Sequence, residues 1–254
     1  MSRKILIAVL CAGCVFPLAY LVLLSVAGDW AFPHILPPKL LVRRWVEIFQ
    51  GPAALGKSVL LSTGMALAVA LLSTACGFAI SRVIARHRRR GLLVLLAHVP
   101  FAMSPVILGT CLLYLFIRLE LAGTVPGVIL AQFLFACSYS IILFLGFWNG
   151  HTFALEQLVY TLGGNRRQMV LRMLLPVARP LLLTGFFQTF LFSWFDYGMT
   201  LVIGAGKLPT LTLKIFEYVA SADFYLAGAC ATLLILPPLA VLLINRRLLL
   251  AGRI

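Results

Sequence analysis

Long apolar stretches separated by short polar or basic segments make up most of this chain of 254 residues. Six stretches reach or exceed the roughly 20 residues that a helix needs to cross the hydrocarbon core of a bilayer. Helices are expected because an isolated strand leaves its main-chain groups without hydrogen bonds in lipid. The pattern therefore predicts an all-α integral membrane bundle of six transmembrane helices. The predicted spans are residues 5–27, 58–81, 92–117, 125–147, 177–203 and 224–244.

Prolines and flanking charges add detail to this pattern. Pro237 and Pro238 predict a kink or a local break within the sixth span. Residues 28–56 form the longest segment between spans, a loop with one short helix at about residues 41–49. The first stretch follows two basic residues, as a cleavable signal would. Its apolar run exceeds the about 7 to 15 residues of a signal core, which favours an uncleaved helix.

The composition agrees with a membrane environment. Hydrophobic residues make up 62% of the chain and charged residues 11%, whereas about a quarter of the residues of a soluble domain are charged. Residues 1–254 are therefore predicted to form a single transmembrane domain in a lipid bilayer.

Lysine and arginine lie mostly on one side of the predicted spans. Fourteen of the 21 lie at the two ends of the chain, in the loops that follow the second and fourth spans, or at the start of the fifth span. The positive-inside rule makes that side cytoplasmic and places both termini there. The basic segment 82–91 resembles a nucleic-acid-binding patch. A short loop that fixes the membrane topology and lies beside anionic lipid headgroups is the favoured interpretation. No nucleic acid is therefore expected as a partner.

No pattern typical of a catalytic or metal site is present in the sequence. The six cysteines all fall in predicted spans, where small packing residues are expected, and the CxxC pair of Cys11 and Cys14 has no second pair beside it. The histidines are scattered, and no glycine-rich loop of the nucleotide-binding type occurs. We therefore expect no enzyme activity, no metal and no cofactor in this chain, and any ATP hydrolysis must occur elsewhere.

A segment between the fourth and fifth spans, EQLVYTLGGNRRQMVLRMLLP at residues 156–176, interrupts the apolar pattern. Leu155, Leu158, Val159 and Leu162 recur at helical spacing and predict one apolar stripe. The glycines that follow predict a helix end, and Asn165 predicts the cap of a second helix. From the residues alone, this helix–turn–helix is either a hairpin on the lipid surface or a docking element for a partner.

The same segment resembles the EAA loop of permease subunits of bacterial ABC importers. That motif contains an acidic residue, two alanines, a glycine, and later a Leu-Pro pair. Gly163 matches the motif glycine and Pro176 its end, whereas the acidic position falls on Gln157, beside Glu156. The resemblance implies that residues 153–176 form the coupling loop to an ATPase. The residues implied in this coupling are Leu155, Glu156, Gln157, Leu158, Val159, Leu162, Gly163 and Gly164.

The resemblance also implies a set of partners and a location. These are two ABC ATPase subunits, a second permease that is more often a different chain, and an extracytoplasmic solute-binding protein, in the bacterial inner (cytoplasmic) membrane. Residues 28–56 either meet the binding protein or form a lid on the bundle. An ATP-independent channel or secondary transporter is the alternative function.

An acidic residue inside the fifth predicted span is the main candidate for a translocation path. Ionisable groups are costly in lipid, so Asp196 is a functional candidate, with a structural carboxylate as the alternative. The neighbouring candidates are Gln188, Ser193, Trp194 and Tyr197. Residues 202–219 resemble permeases of the polyamine, ferric-iron and phosphonate-type importers, which implies a small polar or cationic solute, polyamine-like in the first instance.

Overall fold

The computed structural model describes residues 3–28, 30, 37, 39–40, 45–46, 49 and 55–251, of which residues 3–4, 7–8, 11, 14 and 241–251 are described by their backbone alone. The short helix predicted at 41–49 lies largely outside the described residues, and so do the side chains of Cys11 and Cys14.

The described part of the chain is mostly helical, so the predicted all-α class is confirmed. Two strands of two residues each, β1 (Ala27–Gly28) and β2 (Lys39–Leu40), pair antiparallel with Ala27 opposite Leu40. The helices, in chain order, are α1 (Arg3–Val26), α2 (Leu55–Arg86), α3 (Arg90–Ala102), α4 (Pro105–Arg118), α5 (Val125–Leu145), α6 (Gly150–Thr161), α7 (Arg166–Trp194), α8 (Gly198–Gly204), α9 (Leu211–Ala220) and α10 (Phe224–Ala251).

Three of these helices are long and apolar enough to cross a membrane, judged on the described residues: α2, α5 and α7. The bent pair of α3 and α4 makes a fourth span if it is counted as one. Shorter apolar helical segments lie at Val15–Val26 within α1 and Phe224–Ala240 within α10. A helical membrane protein is therefore supported, and the number of six spans stays a prediction.

The third predicted span, residues 92–117, is not one straight helix. Helices α3 and α4 meet at 98° across a two-residue break at residues 103–104. Proline lacks an amide hydrogen and disfavours helical geometry in the residue before it. Ser104 is accordingly extended, with φ −61° and ψ 140°, and Pro105 occupies the first turn of α4.

The fifth predicted span, residues 177–203, is also corrected at both ends. Helix α7 already begins at Arg166, passes through a π-helical stretch at Met169–Leu174, and ends at Trp194. Residues 195–197 break the helix before α8. By contrast, α10 passes through Pro237 and Pro238 without the local break that these residues predict.

The chain forms two compact units, Met1–Ser62 with Pro209–Asn245, and Thr63–Leu208 with Arg246–Ile254. In the first unit, the Tyr225 hydroxyl donates to the Trp30 carbonyl at 2.9 Å. The amide of Leu211 donates to the Ser62 hydroxyl at 2.8 Å, which fixes the start of α9. The single domain predicted for residues 1–254 stays a prediction.

Helix α5 is the central element of the second unit, where it contacts α3, α4, α7 and α8. Its Phe144 is fully buried and meets Phe78 of α2 edge to face, with ring centroids 5.3 Å apart. Gly77 of α2 lies directly against the main chain of α5, because a Cβ at this position would lie 3.1 Å from the Ser140 carbonyl carbon and would overlap its side chain. Close backbone approach at small residues is the usual packing of helices in membranes.

Replacing Gly77 with alanine should destabilise the second unit by about 1 to 3 kcal/mol, because the added methyl group pushes two helix backbones apart. Thermal unfolding in detergent measures this as a lower Tm than that of the unchanged protein. Gly64→Ala in the same helix is the matched control, since an exposed Cβ there meets nothing within 4 Å. Equal Tm values for the two variants would contradict the close packing of α2 and α5.

Candidate functional site

Helix α6 ends in a turn that requires glycine. The Gly163 amide donates to the Tyr160 carbonyl at 3.0 Å, and the Gly164 amide donates to the Val159 carbonyl at 2.9 Å. Gly163 has φ +76°, and a Cβ on Gly164 would lie 2.8 Å from the Val159 carbonyl oxygen. This pair of hydrogen bonds with a left-handed residue is a Schellman motif, in which glycine is the preferred residue.

The next helix starts immediately after this turn. The Asn165 side chain accepts from the Gln168 amide at 2.8 Å, and the Gln168 side chain accepts from the Asn165 amide at 2.9 Å. This capping box satisfies the first amides of α7. The predicted helix–turn–helix, with its turn at the two glycines and its cap at Asn165, is confirmed.

The apolar stripe predicted on α6 is divided between two faces. Leu155 and Val159 are half-buried, whereas Leu158 is 53% exposed and Leu162 is 78% exposed. The buried face instead carries Phe153 and Glu156, and Val159 extends it towards the core cluster of Trp148, Met169 and Leu174. Gln157, at the acidic position of the motif, is exposed. Tertiary contacts, which sequence spacing does not report, decide which face is covered.

Glu156 lies inside the protein and not on the exposed face of α6. Its residue is 1% exposed, and its Oε2 atom accepts hydrogen bonds from two arginines of α2. The Nη2 atom of Arg82 lies 3.0 Å away, and that of Arg86 also donates to the same oxygen. Glu156, one of the residues that the resemblance implies in the coupling, is therefore paired within the chain.

A cavity of about 490 Å³ lies elsewhere in the second unit, around the break between α7 and α8. Four of the five predicted path residues line it: Gln188, Ser193, Asp196 and Tyr197. Trp194 is outside the lining, buried and stacked on Phe190 with ring centroids 5.8 Å apart. The sequence-predicted set thus contains four residues that share one cavity and one that packs beside it.

Asp196 stabilises the first turn of α8. Its Oδ2 atom accepts from the Thr200 amide at 2.9 Å and from the Thr200 hydroxyl at 2.7 Å, and its Oδ1 atom accepts from the Met199 amide at 3.4 Å. A carboxylate at a helix N-terminus satisfies amides that have no partner within the helix. Asp196 is therefore hydrogen-bonded within the chain, and whether its role is structural or functional stays a prediction.

Gln132 of α5 is the functional candidate that sequence reasoning missed. Its Nε2 atom donates to Asp196 at 3.0 Å and to the Thr200 hydroxyl at 3.1 Å, while its Oε1 atom accepts from Ser193 at 2.6 Å. The residue is buried and contributes to the cavity lining. An amide in the middle of a strongly apolar span was the available signal, since polar groups in lipid require partners.

The cavity walls are largely apolar, with Phe135, Leu191 and Phe192 among the lining residues. The polar groups of its network bond to each other, which fixes their positions. Among the residues that the structure describes, no group of three metal-ligating side chains occurs.

Comparisons with known proteins give distant relatives. No family model matches the chain. The molybdenum transport system permease protein ModB of Mycobacterium tuberculosis is 28% identical over 222 residues, 81% of this chain and 79% of that protein. The probable sulfate transport system permease protein cysT of Helicosporidium sp. is 27% identical over 198 residues, 71% and 72% of the two chains.

Other matches are more partial or concern the fold. The putative ferric transport system permease protein FbpB 1 of Haemophilus influenzae is 28% identical over 121 residues, and the match spans only 19% of its length. A crystal structure of a bacterial ABC transporter involved in alginate import aligns with a TM-score of 0.70 at 15% identity, covering 97% of this chain and 98% of that chain. These relatives give the polyamine-like expectation no support.

Replacing Asp196 with asparagine should loosen α8, because an amide group would face donors where the carboxylate now accepts several hydrogen bonds. A buried group left unsatisfied costs about 1 to 3 kcal/mol, so amide exchange in residues 198–204 should accelerate roughly tenfold to hundredfold. Hydrogen–deuterium exchange with mass spectrometry measures this. Asp223→Asn is the control: within the described part of the chain, the Asp223 carboxylate accepts one hydrogen bond, from the Leu226 amide at 3.1 Å, and asparagine caps helices equally well. Unchanged exchange in Asp196→Asn would contradict the capping role.

Proposed function

Because this chain is a permease of the binding-protein-dependent ABC importer type, we propose that it forms the membrane path of an importer for small inorganic oxyanions such as sulfate or molybdate. The observation that carries this proposal is the extent of the matches to sulfate and molybdenum permeases, which cover 71% and 81% of the chain. The ferric permease matches only 47% of it.

The proposed permease crosses the bacterial inner membrane six times, with both termini in the cytoplasm. Helices α1 and α10 contain 24 and 28 residues, which correspond to about 36 and 42 Å and exceed the roughly 30 Å of hydrocarbon. Together with α2, α5, α7 and the bent α3–α4 pair they make six spans in one domain. The excess of arginine and lysine in the loops after the second and fourth spans supports this orientation.

The proposed partners are two ATPase subunits, a second permease and a solute-binding protein. The sequence has no nucleotide-binding loop, so this subunit would be no enzyme and would hold no cofactor. Leu158 and Leu162 give α6 an exposed apolar surface between two capped ends, which suits a helix that docks into a cleft. Helix α6 is therefore the proposed contact with the ATPase.

The cavity beside α8 is the proposed segment of the translocation path within this subunit. A bare carboxylate would repel an oxyanion, but Asp196 accepts hydrogen bonds from Gln132, Met199 and Thr200. Donors of this kind offset the charge of the carboxylate. Asp196 is thus proposed to shape the path and not to attract a cation.

The first experiment is gentle purification of the tagged chain from its native membrane, followed by mass spectrometry of every protein that remains bound. The purified assembly is then reconstituted with the binding protein, and uptake of radiolabelled sulfate and molybdate is compared with uptake of ferric iron and putrescine. We expect ATP-dependent uptake of an oxyanion. Uptake of only iron or putrescine would overturn the substrate class, and uptake that survives ATP depletion would indicate a channel or secondary transporter.

Replacing Gly163 with valine should preserve membrane insertion and abolish coupling between ATP hydrolysis and transport. The left-handed conformation costs a residue with a Cβ about 1 to 2 kcal/mol of conformational free energy, and it costs a β-branched residue more. Nothing lies within 4 Å of a Cβ at this position, so the effect is conformational and not a clash. The ratio of ATP hydrolysed to substrate imported measures the coupling.

Two controls make this prediction specific. Gly163→Asn should retain most of the coupling, since asparagine tolerates the left-handed conformation. Gly146→Ala, at an open position with φ −66°, should behave as the unchanged protein. Normal coupling in Gly163→Val would exclude a role for the turn.

A further inference from the structure

We propose that Glu156 is a positioning residue that clamps α6 to α2, so that displacement of the docking helix passes directly into the α2 span. The proposal rests on the proposed function in one respect, namely that α6 receives the motion of an ATPase. It adds a second mechanical connection to the one that the chain itself makes from α6 to α7.

Two arginines on adjacent turns of α2 face the one carboxylate that α6 presents to it. Arg82 and Arg86 are four residues apart on α2, so they lie on the same face of that helix. Both guanidinium groups donate to the single Oε2 atom of Glu156. One carboxylate on α6 is therefore held by two successive turns of α2, which defines the position of α6 along the α2 axis.

Two aromatic rings, one on α6 and one in the segment before it, make cation–π contacts with the same arginines. The Arg86 guanidinium lies 4.7 Å from the ring centroid of Phe153, which is three residues before Glu156 on the same face of α6. The Arg82 guanidinium lies 5.8 Å from the ring of Trp148. The indole of Trp148 in turn donates to the Ser81 hydroxyl of α2 at 2.8 Å.

The clamp is better suited to fixing a position than to adding stability. Buried ion pairs contribute little net stability because both charges lose their hydration, yet removing one partner leaves the other buried and uncompensated. The second carboxylate oxygen of Glu156 and the Nε atom of Arg82 have no hydrogen-bond partner among the described residues. An apolar contact would stabilise this junction as well, but it would let α6 slide and rotate.

Gln157, the residue after Glu156, faces solvent and not the protein interior. Consecutive residues of a helix point about 100° apart, and Gln157 is exposed while Glu156 is buried. One turn of α6 therefore presents an outer surface to the proposed ATPase and an inner surface to α2. Within the second unit, α2 runs without interruption from Thr63 to Arg86, so displacement of its end at Arg86 passes along that part of the helix.

The decisive experiment compares three forms of the protein in the purified, reconstituted assembly: unchanged, Glu156→Gln, and a fully charge-exchanged variant. The last combines Glu156→Arg with Arg82→Glu and Arg86→Glu, because both arginines donate to Glu156. The first readout is the ratio of ATP hydrolysed to substrate imported. We expect Glu156→Gln to raise this ratio about tenfold, within the usual range of coupling between sites, and the charge-exchanged variant to restore it in large part. A role of Glu156 that does not depend on its pairing with the two arginines would not be rescued by exchanged charges.

The second readout is a distance distribution between spin labels at two exposed positions, introduced as Ala154→Cys on α6 and Val83→Cys on α2 in a background without the native cysteines. In the protein without the Glu156 substitution, the distribution of label-to-label distances should be narrow and should stay the same when ATP is added. In Glu156→Gln it should be broad. Because this measurement can be made on the permease without ATPase, it tests the clamp even if the proposed partners are wrong. Arg86→Gln, at a half-exposed partner, provides a milder variant should Glu156→Gln fail to fold.

Glu217→Gln is the matched control, because Glu217 forms an exposed ion pair with Lys214 at 2.7 Å on α9. It should change neither readout. Equal distance distributions and equal coupling in the unchanged protein and Glu156→Gln would overturn the clamp. The two proposals can also fail separately. Transport without an ATPase would overturn the proposed function. The clamp would still hold if the distribution of distances between the spin labels were narrow only when Glu156 is present.

Discussion

Main-chain hydrogen bonding in lipid is the constraint on which the rest of this structure depends. A helix that crosses the hydrocarbon region satisfies its own amides and carbonyls, so each interruption must find partners in other parts of the protein. The break between α7 and α8 meets this requirement with Asp196, which accepts from the amides of Met199 and Thr200. Gln132 on α5 then ties that carboxylate to the centre of the bundle. The cavity lies at this point, where side chains provide the hydrogen bonds that the interrupted helix does not.

A second consequence of the apolar surroundings is the way in which charge is arranged near α6. A carboxylate that faces the protein interior has to be paired, and Glu156 pairs with two arginines that themselves lie over aromatic rings. The glycine turn that follows α6 fixes a direction by main-chain geometry. The junction therefore combines a backbone-determined angle at one end of the helix with an electrostatically determined position along its side.

Much of this organisation could be predicted from the sequence. The features that were not predicted depend on details or distant contacts that hydropathy and helical spacing do not report. Apolar stretch length predicted a helical membrane protein, and local residue preferences predicted the turn at Gly163 and the cap at Asn165. Average hydropathy does not register Pro105 between two equally apolar segments, so the bend between α3 and α4 was missed. The orientation of Glu156 depends on arginines 70 and 74 positions earlier in the chain, and helical spacing carries no such information. The partners of Asp196 are equally remote in sequence, since Gln132 lies 64 positions away.

The turn at Gly163 and Gly164 depends on main-chain hydrogen bonds and touches little else, because a side chain at 163 would meet open space. The residues that face outward on α6 can therefore change without altering the angle between the two helices. Under the proposed docking of α6, evolution can in this way exchange the partner while the turn keeps its geometry, and an engineer can graft the outer face of another permease onto α6. The composition of the outer face and the angle of the turn are thus separable properties of the same short hairpin.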